Sequence, residues 1–180
     1  MNDSQISRVQ RLARILHWAC TLSLIVMPAL LIYMIAIGDA GEAALRRSYA
    51  DYALPDVIPP AIVLTVRAIQ VIGFAITLYI LWQMRVLFGL YKSGEILSTR
   101  CAAVILRCGQ ALVTIGIFGV LSNTVIVLLL TLANETGDRT LAVQLSGGNA
   151  GFFLGGGLIV VIGWVMGEAV RIADENRAFV

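Results

Sequence analysis

Four stretches of this chain run without a charged side chain for long enough to cross a lipid bilayer. They are 24 residues between Arg14 and Asp39, 17 between Arg67 and Arg85, 27 between Arg107 and Glu135, and 28 between Arg139 and Glu168. A helix rises about 1.5 Å per residue and the hydrocarbon core is about 30 Å thick, so roughly 20 apolar residues span it. Three stretches satisfy that outright. The second is shorter, but uncharged residues 57–66 precede Arg67, whose long side chain can reach an interface from near a membrane end, and it counts as a span. Hydrophobic residues make up 59% of the 180 and charged ones 13%, where a soluble domain carries roughly 25% charged. The sequence predicts an all-α polytopic membrane protein, a four-transmembrane-helix bundle forming a single domain over residues 1–180 with the lipid bilayer as its solvent. No stretch outside the membrane is large enough to bury a core of its own.

Arg8, Arg11 and Arg14 followed by an apolar run look superficially like a secretion signal. That run extends over residues 15–37, far beyond an h-region of roughly 7 to 15 residues, so it reads as a retained helix with Pro28 inside it. Orientation follows the excess of Lys and Arg on cytoplasmic flanks. Four spans put both termini on one side. That side holds nine cations (Arg8, Arg11, Arg14, Arg85, Lys92, Arg100, Arg107, Arg171, Arg177) and the other holds four (Arg46, Arg47, Arg67, Arg139). Both termini are therefore expected in the cytoplasm, with an inner face of net charge +4 and an outer face of −2.

Local signals divide the chain further. The first helix is expected over residues 7–37, ending at Gly38, and Asp39 to Glu42 has capping-box spacing ahead of a short outer helix over 41–52. Tyr49 and Tyr52 are placed to anchor it at the headgroups. Pro55, Pro59 and Pro60 end it, and Pro60 suits the first turn of the next helix. That helix runs unbroken to Ser93, where Gly94 supplies a C-terminal cap; its 34 residues make about 51 Å, well beyond the membrane thickness. Ser98 is set to cap a third long helix reaching Ala133. The second and third spans should thus project into the cytoplasm as a tall antiparallel pair. Residues 134–151 read as a loop, with 141–145 against the surface, and the fourth helix begins near Phe152.

The chemistry carried by the spans is sparse. None contains an Asp or Glu, which argues against a proton-coupled pump of the kind that relies on a membrane-embedded acid. The embedded polar residues include Gln70, Thr77, Gln110, Ser122, Asn123, Thr124 and Thr131. Gln70, Gln110 and Asn123 stand out, and Asn123 reads either as an interhelical hydrogen bond worth on the order of 1 kcal/mol or as a contact for a polar ligand. Glycines at four-residue spacing (Gly151 with Gly155, Gly163 with Gly167) and Gly109, Gly116 and Gly119 suit close helix packing, within the chain or in a homodimer. His17, Cys20, Cys101 and Cys108 lack metal-ligand spacing, so neither metal nor cofactor is expected, and the cysteines lie toward the reducing side. With one His, no HExxH and no nucleophile motif, an enzyme is not expected. A net charge of +2 without a basic block gives no reason for direct nucleic-acid binding.

The charged residues at the inner helix ends are more suggestive. Arg85 and Lys92 share a helix face, as do Arg100 and Arg107, while Glu168, Arg171 and Glu175 line a face of the fourth helix, with Glu95 in the turn. Glu168 falls at the expected depth of Arg107 or Arg85. The set reads as an ion-pair cluster closing the bundle or as a docking surface for a cytoplasmic protein.

Two segments carry a resemblance: Leu81-Trp-Gln-Met-Arg-Val-Leu-Phe-Gly-Leu-Tyr-Lys-Ser-Gly-Glu-Ile-Leu97, and the tail Gly167-Glu-Ala-Val-Arg-Ile-Ala-Asp-Glu-Asn-Arg-Ala-Phe-Val180. In them the chain resembles, from the second span onward, a family of small bacterial membrane proteins known as domain-of-unknown-function family 2975. The resemblance implies a four-span protein of the bacterial inner membrane, without an established activity, often encoded beside a small helix-turn-helix regulator. It brings no catalytic residues. The expected function is a non-enzymatic membrane regulator docking a cytoplasmic partner such as a transcription factor. The alternative is a small transporter or ligand-binding channel component with a hydrated cavity around Gln70, Gln110 and Asn123.

Overall fold

The computed structural model describes residues 3–37, 41–52, 54–55, 57–132 and 143–178. Five helices carry the chain: α1 (Asp3–Ala36), α2 (Glu42–Ser48), α3 (Pro60–Lys92), α4 (Thr99–Thr131) and α5 (Gly147–Ala178). No strand occurs among the described residues. All but α2 are long and apolar enough to cross a membrane. Their outer faces carry Ile15, Trp18, Leu22, Ile25, Leu64, Leu121, Leu158 and Trp164, all more than 60% exposed, a surface that water would not tolerate and lipid tails would.

Sequence chemistry sets most of the helix ends. Pro60 opens α3 in the first turn, where a missing N–H costs nothing. At its other end Gly94 adopts φ +88°, a left-handed conformation that favours glycine, and the chain reverses within six residues. Ser98 caps α4 by accepting the Cys101 N–H at 3.1 Å. Three boundaries differ from expectation, the first being α1, which begins at Asp3 rather than at residue 7. α2 stops at Ser48 rather than Tyr52, held by an Arg46–Glu42 ion pair one turn apart and by Arg46 donating to the Pro55 carbonyl. α5 begins at Gly147, inside the expected loop, because the Ser146 hydroxyl accepts the Asn149 N–H and its carbonyl accepts the Ala150 N–H. Two consecutive glycines look like a loop, yet a capped first turn accommodates them. The Asp39 position of the expected capping box, Gly38 and residues 133–142 lie outside the described residues.

Extensive helix contacts join α1 to α3, α3 to α4 and α4 to α5, each pair antiparallel. The expected four-helix bundle is laid out as a row, in which α1 and α5 share no extensive contact and stand at opposite edges. The tightest seam is α4 against α5. A methyl group built on Gly109 would lie 2.6 Å from the Val160 nitrogen, on Gly156 2.7 Å from the Val113 nitrogen, and on Gly163 2.9 Å from the Leu106 Cα. Gly109 and Gly116, like Gly156 and Gly163, are one heptad apart, so each helix presents a glycine line to the other's backbone. Of the two expected four-residue pairs, Gly151 and Gly155 meet nothing within 4 Å and lie off the packing face, whereas Gly163 and Gly167 both face α4, against Leu106 and Ala102.

Candidate functional site

The row of antiparallel helices gathers polar groups at its two ends and leaves an open, polar-lined cavity between helices. The start of α1, the α3–α4 turn and the end of α5 lie together; the end of α1, α2 and the start of α5 lie at the other end.

Near the second end, α3, α4 and α5 surround a cavity of about 360 Å³, which Tyr49, just past the end of α2, also lines. Gln70 and Asn123 line it together with Asn149, Ser122 and Thr77. The hydroxyls are satisfied locally: Thr77 donates to the Gly73 carbonyl at 3.0 Å and Ser122 to the Gly119 carbonyl at 3.2 Å. The amides are not. Among the described residues, neither the Asn123 nor the Asn149 side chain has a hydrogen-bond partner, and Gln70 is engaged only through its oxygen, which accepts from Arg67 at 2.8 Å. Gln70, Asn123 and Asn149 are half-buried, so their free amide groups are open to water or to a polar solute. Phe118, Phe152, Ile69 and Ile126 complete the wall, and no charged side chain lines it.

Gln110 does not join them. It faces a separate groove of about 480 Å³ between α3 and α4, beside Arg107 and Thr114. Gln110 and Asn123 are 13 residues apart on one helix, which at about 100° per residue puts them on nearly opposite faces. Asn149 was hidden from sequence reasoning by its assignment to a loop; its place one heptad before Gly156 is the signal that finds it.

At the first end, the charged residues are not brought into one cluster. Glu168 pairs with Arg171 on its own helix, at 2.5 Å, and Arg171 reaches Glu175 at 3.6 Å. Arg85 turns the other way: its Nε donates to the Thr21 hydroxyl at 3.0 Å, its guanidinium lies 5.3 Å from the centroid of the Trp82 ring, and its carbonyl lies 3.0 Å from His17 Nδ1. The row explains the separation, since Arg85 faces α1 at one edge and Glu168 belongs to α5 at the other. Helix register adds to it: Gly163 packs on Leu106 and Gly167 on Ala102, which sets Glu168 more than a turn beyond Arg107. Lys92, Glu95, Arg100, Arg107, Glu168, Arg171 and Glu175 are all exposed. Cys20, Cys101 and Cys108 are buried free thiols, and among the described residues no three His, Cys, Asp or Glu side chains form a group that could hold a metal ion.

Four long apolar helices with lipid-compatible outer faces and antiparallel packing define a multi-pass helical membrane protein. Residues 40–180 match the model of the family described as "Protein of unknown function (DUF2975)", and the chain belongs to that family. The match takes in α2 to α5 and so begins ahead of the second span. No curated protein and no solved structure matches the chain.

Proposed function

We propose that this protein is a non-enzymatic regulator of the bacterial inner membrane that docks a cytoplasmic partner, such as a small transcription factor, on the end formed by the α3–α4 turn and the last turns of α5. The observation that carries this reading is that the charged side chains at that end, from Lys92 to Glu175, are exposed and, among the described residues, no ion pair links them across helices. Charges used to lock a bundle would be paired between helices; here they are left for an outside surface. The excess of nine cations over four supports placing this end, with both termini, in the cytoplasm. At 33 residues each, α3 and α4 are about 50 Å long, which leaves room for the turn to project beyond the headgroups. The test is site-specific photocrosslinking from Arg100 in native membranes. The expected product contains one soluble DNA-binding protein, reduced at least tenfold by Lys92→Glu with Glu168→Arg while membrane insertion is unchanged. Absence of any soluble adduct counts against the proposal.

A second reading, a ligand-binding or transport component, is favoured by the amide cavity. Asn123→Leu is expected to leave thermal stability in detergent unchanged or slightly raised, because no protein partner is lost, and to remove any solute response. A marked loss of stability would point instead to a packing role for Asn123.

A further inference from the structure

Among the described residues, the side chain of Arg67 is the one place where a formal charge enters the half of the α1–α3 seam nearer α2, and its hydrogen bonding is incomplete. Its two terminal nitrogens donate to neutral oxygens, Nη1 to Gln70 Oε1 at 2.8 Å and Nη2 to the Gly41 carbonyl at 3.1 Å. Its Nε is buried and has no acceptor. Among the described residues no carboxylate lies within ion-pair distance of it. The guanidinium borders a cleft of about 390 Å³ between α1 and α3, whose other walls are Leu31, Ile35, Val71, Phe74 and Gln70. Arg67 lies seven residues into α3, about 10 Å along the helix from Pro60. A cation is thus held close to a membrane boundary, beside an apolar channel, with no countercharge among the described residues.

From this pairing of an uncompensated guanidinium with an apolar cleft, we infer that the α1–α3 seam is a binding site for an anionic phospholipid. The phosphodiester sits on the guanidinium edge that remains accessible, and one acyl chain lies along Leu31, Ile35, Val71 and Phe74. Arginine suits this role because its planar fork matches phosphate oxygens and cannot lose its proton. A net negative headgroup supplies the missing countercharge, which a zwitterionic headgroup of the same size does not. The cleft selects a chain-bearing anion over a free one, since four of its six lining residues are apolar. Such a lipid would staple α1 to the rest of the row at the end opposite the contact between Arg85 and Thr21. The inference stands apart from the docking proposal and from the amide cavity.

Native mass spectrometry of the full chain, purified in detergent with phosphatidylglycerol or phosphatidylcholine of identical acyl chains, tests it. Wild type is expected to retain one equivalent of phosphatidylglycerol at least tenfold better than phosphatidylcholine. Arg67→Gln should lose that equivalent, whereas Arg11→Gln, at the far end of α1, should keep it. Because Arg67 also holds Gly41 and Gln70, a second variant leaves the guanidinium alone: Ile35→Trp, at a position 56% exposed on the cleft rim, should lower retention at least threefold by narrowing the channel. Equal retention of the two lipids by wild type, an unchanged preference in Arg67→Gln, or displacement of the lipid by millimolar inorganic phosphate would each overturn the inference.

Discussion

Gly109→Leu is expected to destroy the folded monomer. The new Cβ would fall 2.6 Å from the Val160 nitrogen and 2.9 Å from the Gly156 carbonyl oxygen. These are backbone atoms of a helix, so no side-chain rotation relieves the clash and α5 must move away as a unit. Overpacking that side chains can absorb costs roughly 1–3 kcal/mol. Here the displaced object is a helix whose only extensive contacts are with α4, and the penalty should meet or exceed the top of that range. Gly151→Leu and Gly155→Leu are the matched controls, because a Cβ at either position meets nothing within 4 Å. Both should fold as the parent does. If the outward glycines serve a second copy of the chain, those two variants will lose a dimer and keep the monomer. Thermal melting and size-exclusion chromatography in detergent separate the outcomes, and a Gly109→Leu protein that melts within a few degrees of the parent would refute the seam.

This seam also marks where sequence reasoning stops. Pro60, Gly94 and Ser98 declare helix ends through local backbone chemistry, and those boundaries were legible. Facing is different. In a soluble helix the buried stripe is the apolar one, but a membrane helix is apolar on every side, so hydropathy no longer says which face meets a neighbour. Gly156 went unnoticed among Gly155 and Gly157 for this reason, although its heptad spacing from Gly163 and from buried Val170 was present in the sequence. Charge partners were equally hidden. Glu168 and Arg85 share an end of the molecule, and only the order of helices in the row, with α1 on α3 and α5 on α4, shows that they face different neighbours. The amide cavity was half legible: Gln70 and Asn123 belong to it, Gln110 does not, and Asn149 required the correct start of α5.

Leu45→Ala should release α2 and uncover the amide cavity. At seven residues α2 is too short to persist by its own hydrogen bonds, and its apolar anchor is Leu45, 1% exposed among Ile58, Val66, Ile126 and Leu130. Truncating a leucine in such a site costs about 2–5 kcal/mol. A local reporter sits one turn away. Burial pushes the Tyr49 phenol above its ordinary value of about 10; neighbouring Tyr52 adds to the rise and Arg67 opposes it. Since folding favours the protonated phenol, its contribution to stability is complete below the unfolded value and is lost as pH rises through the folded one. In the parent protein, ultraviolet titration against a Tyr49→Phe reference should show Tyr49 ionising late. In Leu45→Ala the same transition should move down toward the ordinary phenol range, together with a lower melting temperature. A titration and a melting curve that both stay at the parent's positions would mean that α2 is held by something other than Leu45.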